Sequence, residues 1–170
     1  MYSGLLFFVF LSIHIPEAIY GVYTILLFPL VFPEYTRPDF PNWKGIFWGL
    51  LFSAVYFPFV SSFWNPETFL TALPEEIFFR AYLQNIMTVR WGAVRGIVFS
   101  SILFTIPHLI LEAGLLSLLV FIPSLIFGFL YYRFKNVWTP AIFHYFSNIF
   151  FQEKAPLLGE GLYFWSDLFK

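Results

Sequence analysis

Apolar residues fill the chain in long blocks, separated by short polar clusters. A helix that crosses a membrane needs about 20 consecutive apolar residues, somewhat fewer in a packed bundle. On that measure residues 5–32 form a first span, with breaks expected near Pro16 and Pro29. The stretch PEYTRPDFPNWK, 33–44, is a loop rich in proline and charge. Residues 45–64 form the second span. Asn65-Pro66-Glu67 has the form of a helix start, with Asn as the cap and Pro at the first helical position. The third span then runs to about 89, and RWGAVR turns the chain at 90–95. Residues 96–111 and 115–132 make the fourth and fifth spans, RFKN turns the chain again, and 137–151 is a short sixth. PLLGEGLYFWSDLFK at the end reads as an interfacial tail rather than a seventh span. The predicted fold class is therefore all-α: a polytopic membrane helix bundle of about six spans. It forms a single membrane domain over 1–170, with N-terminal spans in 1–64, a core in 65–151 and a tail in 152–170.

Composition supports this pattern. The chain is 59% hydrophobic and 11% charged, where soluble domains carry about 25% charge. The lipid bilayer is the implied partner. A net charge of −1 leaves no electrostatic footprint for nucleic acid. The absence of cysteine excludes disulfides, thiolate metal ligands and a cysteine nucleophile. The N-terminal block lacks a cationic start and runs past the length of a signal peptide, so it reads as an anchor. Loops 33–45, 90–95 and 133–136 each carry two Lys or Arg, whereas 65–73 and 112–114 carry none. The positive-inside rule puts the first three in the cytoplasm and both termini outside.

Charged side chains at membrane depth cost a few kcal/mol or more each, about 2.5–3.5 on insertion scales, so those present are candidates for function. Glu75, Glu76 and Arg80 fall within LPEEIFFRAY. Pro74 suits a first helical position, which would put both glutamates in a first turn. Glu76 and Arg80 are spaced i,i+4 and share a face, so they are expected to form an ion pair that fixes packing. Glu75 is rotated away and has no evident cation of its own. His108, in LFTIPHLI, reads as a packing histidine when taken alone. His144 and Asn148, in HYFSN, point to one side of one helix, as a site or as interhelical hydrogen bonding. His14 and Glu17 flank Pro16 at i,i+3 and read as a local pair near a kink.

Together these positions supply a carboxylate, two histidines and a carboxamide on three spans. Amide hydrolysis needs a base to activate water and donors to hold the oxyanion. No Ser–His–Asp set is present to the eye, so activated water is the simplest chemistry. Glu75, His108 and His144 also offer a His₂Glu set for zinc, although no H-E-x-x-H helix exists. A metal-free site is the preferred reading, with no cofactor.

The order EEIFFR at 75–80, FTIPH at 104–108 and HYFSN at 144–148 resembles the CAAX-protease and bacteriocin-processing family of intramembrane proteases, over about 70–150. The resemblance implies an integral, multi-pass endopeptidase of a bacterial or archaeal cell membrane, acting on a membrane-associated protein substrate. It further implies that Glu75 and His108 position and activate water. By the same resemblance His144 and Asn148 stabilise the oxyanion, and Glu76 and Arg80 support the helix start. Two other functions compete: a non-catalytic scaffold that keeps the polar network, and a proton-coupled carrier using Glu75 and the histidines as a relay.

Overall fold

The computed structural model describes residues 1–32, 43–112 and 115–158, and every regular element among them is helical. Two of these helices are long and apolar enough to cross a membrane, over Ala93–Leu111 and Ser117–Phe134. The remaining predicted spans are built from shorter or more polar helices.

The predicted first span is two short helices. Helix α1 (Tyr2–Ser12) ends before Pro16, which opens a 3₁₀ turn, and α2 (Ile19–Leu27) follows. Proline has no N–H to continue the ladder, so the chain doubles back here. At 1.5 Å per residue each helix reaches about 14–17 Å, half a bilayer core. The two pack closely, because Gly21 offers no Cβ to meet the Phe8 ring. Tyr2 donates to the Leu103 carbonyl at 2.7 Å, and the Tyr23 and Thr71 hydroxyls lie 3.2 Å apart. These two contacts hold the hairpin against the helices that carry the candidate residues. His14 and Glu17 sit exposed at its tip and form no ion pair with each other; His14 packs edge-on against Phe10 instead.

Helix α3 (Trp43–Ser53) gives way to turns over 54–59. Helix α4 (Pro66–Glu76) begins where the sequence indicated: the Asn65 side chain accepts from Thr68 N at 3.2 Å, with Pro66 at the first position. Pro74 therefore lies inside α4, and Glu75 and Glu76 close the helix rather than open it. The cap at Asn65 starts the helix two turns earlier than Pro74 would. The chain continues without a break through a π-helical stretch, Ile77–Gln84, into α5 (Asn85–Trp91). Gly92, at φ 85°, reverses it into α6 (Ala93–Glu112). Helices α7 (Leu115–Leu119) and α8 (Phe121–Phe134) follow. Lys135, in the left-handed region, makes the last turn into α9 (Trp138–Leu158). This helix outruns the predicted sixth span by seven residues, 152–158, so that part of the expected tail is helix. Residues 159–170 lie outside the described residues, as does most of the loop expected over 33–44.

Helices α4 and α9 are tied together beyond the site. Glu153 accepts from the Ser61 and Ser62 amides at 2.7 and 3.1 Å, and Thr68 donates to Gln152 at 3.3 Å. The Tyr145 hydroxyl accepts from Asn65 N at 2.8 Å and donates to the Phe63 carbonyl at 3.1 Å. On the other side of α9, Gly49 of α3 lies so close that a Cβ there would stand 2.8 Å from Ile142 Cβ. These contacts set the register in which α9 presents His144 to α4.

Candidate active site

The predicted Glu76–Arg80 pair is formed. Arg80 Nε donates to Glu76 Oε2 at 3.2 Å, with both side chains fully buried. A buried pair is tolerated only where its remaining hydrogen-bonding atoms are also satisfied. Arg80 Nη2 donates to Ser124 Oγ at 2.7 Å and Nη1 to Ser100 Oγ at 3.3 Å. The guanidinium carbon stands 5.2 Å from the centre of the Phe104 ring, in range for a cation–π contact. One turn on, Gln84 donates to the Gly128 carbonyl at 2.8 Å and accepts from Ser100 Oγ at 3.3 Å. Ser100, Ser124, Gln84 and Gly128 had no place in the sequence reading. The available signal was Gln84 at i+4 from Arg80, together with small residues inside apolar helices, where interhelical bonds form.

The second oxygen of Glu76 reaches across the bundle. Its Oε1 stands 3.0 Å from His144 Nδ1. A carboxylate that already accepts from Arg80 accepts here too, so Nδ1 carries the hydrogen. His144 Nε2 then faces Glu75, 3.7 Å from Oε2. The imidazole is 3% exposed and stacks on Phe127, ring centres 4.4 Å apart and planes 21° from parallel. Phe127 was also missed, because nothing in an apolar span marks which Phe will meet a histidine.

Glu75 and His108 line one cavity of about 60 Å³. Its remaining walls are largely apolar: Val9 and Val22 from the hairpin, Phe79, and Leu111. His108 Nδ1 lies 2.9 Å from the Phe104 carbonyl one turn earlier. A carbonyl only accepts, so Nδ1–H donates and Nε2 is the basic nitrogen of the neutral ring. The Phe104 ring touches both imidazoles, at 4.7 Å from His108 and 5.6 Å from His144. The aromatic residue of the FTIPH motif thus packs on both histidines and covers Arg80.

The structure brings five of the six predicted residues into this connected set. Asn148 is the exception. It is half-buried one turn beyond His144 on α9, its side chain hydrogen-bonds to no other described residue, and it is not among the cavity's lining residues. Among the described residues no three His, Asp or Glu converge in a form that could hold a metal ion, so Glu75, His108 and His144 do not make a zinc site as they stand.

Two carboxylates and two histidines thus lie together between apolar helices. Residues 58–150 match the family described as Type II CAAX prenyl endopeptidase Rce1-like, and the chain belongs to that family. Its members are membrane proteins and proteases of the CAAX type, and the match spans every motif residue from Glu75 to Asn148. No curated protein and no solved structure matches the chain.

Proposed function

We infer that the chain is a multi-span intramembrane endopeptidase in which Glu75 activates water. The observation that carries this reading is the shared cavity: Glu75 and His108 stand on its wall, while Glu76 and Arg80 neutralise each other behind it. Water held between Glu75 and His108 attacks the carbonyl carbon of the scissile peptide, and its proton passes to Glu75. The C–N bond then breaks, and the proton held by Glu75 goes to the leaving amine. The family resemblance gives the oxyanion to His144 and Asn148, of which His144 stands beside Glu75 and Asn148 one turn further along α9. For Nε2 of His144 to donate, the ring must carry both hydrogens; the Glu76 carboxylate at Nδ1 offsets that charge, since Glu75 holds the water's proton at that stage.

The reaction as written needs no metal, since Glu75 and His108 line the cavity together and can hold and deprotonate the water between them. The substrate is a membrane-associated polypeptide, and the product is that polypeptide shortened near its anchor.

The test is a comparison of membrane-protein termini by mass spectrometry between cells carrying the wild-type chain and Glu75→Gln at matched expression. The amide keeps the shape but cannot take the proton, so cleavage is expected to fall on the order of 10²–10⁴-fold. One class of uncut precursor should then accumulate. Identical termini in the two strains would defeat the reading and favour a scaffold. Cleavage abolished by a zinc chelator and restored by zinc would replace the metal-independent step by a metal-assisted one.

A further inference from the structure

The α1–α2 hairpin roofs the cavity that holds Glu75 and His108. More than half of the residues lining that cavity come from it, Leu5, Val9 and Val22 among them. The space enclosed is about 60 Å³. A water needs about 10–15 Å³ on this measure, so a few waters fit and a length of polypeptide does not. A substrate reaches Glu75 only when part of this wall moves, and the hairpin is the part suited to move. Its two helices are short and held to each other where Gly21 meets the Phe8 ring. Its packing on the rest of the bundle is largely apolar, with Leu5, Val9, Val22 and Leu26 in one cluster with Phe78, Phe79 and Phe104. An apolar segment arriving from the bilayer replaces contacts of that kind with others like them. The match to the family begins at residue 58, so the hairpin is no part of it.

Two phenols fasten this roof. Tyr23 meets Thr71, one turn before Glu75 on α4, at 3.2 Å. The Thr71 hydroxyl donates to the Glu67 carbonyl at 3.1 Å, so Tyr23 is the donor between them. Tyr2 donates to the Leu103 carbonyl at 2.7 Å. The ordinary helical partner of that carbonyl is the N–H of residue 107, and residue 107 is proline, which has none. Pro107 thus frees an acceptor inside α6, and the hairpin covers it. The next carbonyl, that of Phe104, takes the Nδ1–H of His108 at 2.9 Å. His108 lies about 7.5 Å of helix rise beyond Leu103, the length of about two extended residues. A peptide bond is cut in unwound backbone, and at membrane depth each unwound N–H needs an acceptor.

Taken with the protease reading, on which this rests, we propose that the Leu103 carbonyl is a docking point for the substrate's main chain, covered in the resting protein by a displaceable α1–α2 lid. A backbone N–H of the unwound substrate takes the place of the Tyr2 hydroxyl. Its apolar side chains take the place of the hairpin's, and the bond to be cut comes to lie beside Glu75 and His108. Tyr2 and the substrate compete for one acceptor, so the lid closes again when the product leaves.

Two substitutions move this competition in opposite directions. Tyr2→Phe removes the hydroxyl that the substrate must displace. Pro107→Ala returns an N–H to the helix, which then satisfies the carbonyl from within. The substrate used is the precursor that accumulates with Glu75→Gln, cleaved by the purified chain in detergent. KM is expected to fall about two- to tenfold in Tyr2→Phe, the worth of one hydrogen bond, and to rise by a similar factor in Pro107→Ala, with kcat little changed. Pro107→Ala carries the test should Tyr2→Phe not fold, since it adds a helical hydrogen bond. A second readout needs no proteolysis. The chain contains no cysteine, so Val9→Cys, at a site 3% exposed under the lid, reports opening by its rate of reaction with N-ethylmaleimide. That rate should rise when Tyr2→Phe is added. A KM that does not shift as stated while cleavage still depends on Glu75 overturns this inference and leaves the protease reading in place, and so does an unchanged labelling rate. If no terminus depends on Glu75, the protease reading fails and the docking role falls with it. Faster labelling would then still show a lid fastened by Tyr2.

Discussion

Glu76 joins two helices through His144: Oε1 meets Nδ1 at 3.0 Å across 68 residues of sequence, while Oε2 takes the Arg80 guanidinium at 3.2 Å. One carboxylate thereby fixes the ring that faces Glu75 and neutralises the nearest buried cation. Removing either charge leaves the other buried without a partner, which costs about 3–5 kcal/mol. Glu76→Gln and Arg80→Met should each lower the melting temperature sharply in detergent. The double replacement Glu76→Leu with Arg80→Met should recover much of that stability, since apolar residues of similar volume often replace a buried pair without loss. It should not recover proteolysis, because His144 is then unheld. A double variant no more stable than the singles would show that the pair is not coupled.

Gly128 lies against the same network. A Cβ at this position would stand 2.8 Å from Gln84 Oε1 and 3.0 Å from Ile97 Cγ2. Gln84 is held by Ser100 and by the Gly128 carbonyl, so it cannot swing aside without giving up a buried hydrogen bond. Gly128→Ala is expected to cost about 1–3 kcal/mol, the usual range for overpacking. Thermal unfolding of the purified variant measures it; an unchanged midpoint would mean that the contact relaxes freely.

The start of α4 depends on Asn65, whose side chain caps Thr68 N. Loss of such a cap costs about 0.5–2 kcal/mol. Asn65→Ala should lose that amount, and Asn65→Asp should keep most of the stability because aspartate caps equally well. Equal stability in all three proteins would show that the cap is redundant with the Tyr145 contact to the same backbone.

Beyond the apolar part of α9, Glu153 offers a pH-dependent contact. Partial burial pushes its carboxyl up, but the Ser61 and Ser62 amides more than offset this and hold it below the ordinary value of 4.5. A carboxylate whose folded value is depressed contributes stability above its unfolded value, and that contribution fades as pH falls through the folded one. The melting temperature should therefore drop on acidification below about pH 4.5, and Glu153→Gln should remove that part of the slope. A slope identical in the two proteins would mean that other carboxylates carry it.

Much of this protein could be read in its sequence. The apolar blocks and the i,i+4 spacing of Glu76 and Arg80 are local properties, and so are the Asn65-Pro66 start and the turns at Gly92 and Lys135. Each follows from backbone and side-chain chemistry within a few residues. Three motifs in order on separate spans were enough to suggest the family to which the chain belongs. Other features depended on contacts far apart in the chain. Pro74 could begin a helix or sit within one, and only the cap at Asn65 decided between them. The hairpin at Pro16 turned one apparent span into two half-length helices, because α1 and α2 find each other and the α4 and α6 surfaces. Which serines would reach Arg80, which Phe would stack on His144, and that Glu76 rather than Glu75 would hold that histidine were set by the packing of α4, α6, α8 and α9. Sequence determines which groups must be paired when buried; only the tertiary structure decides the partner, since the satisfying atoms come from helices that local rules cannot orient.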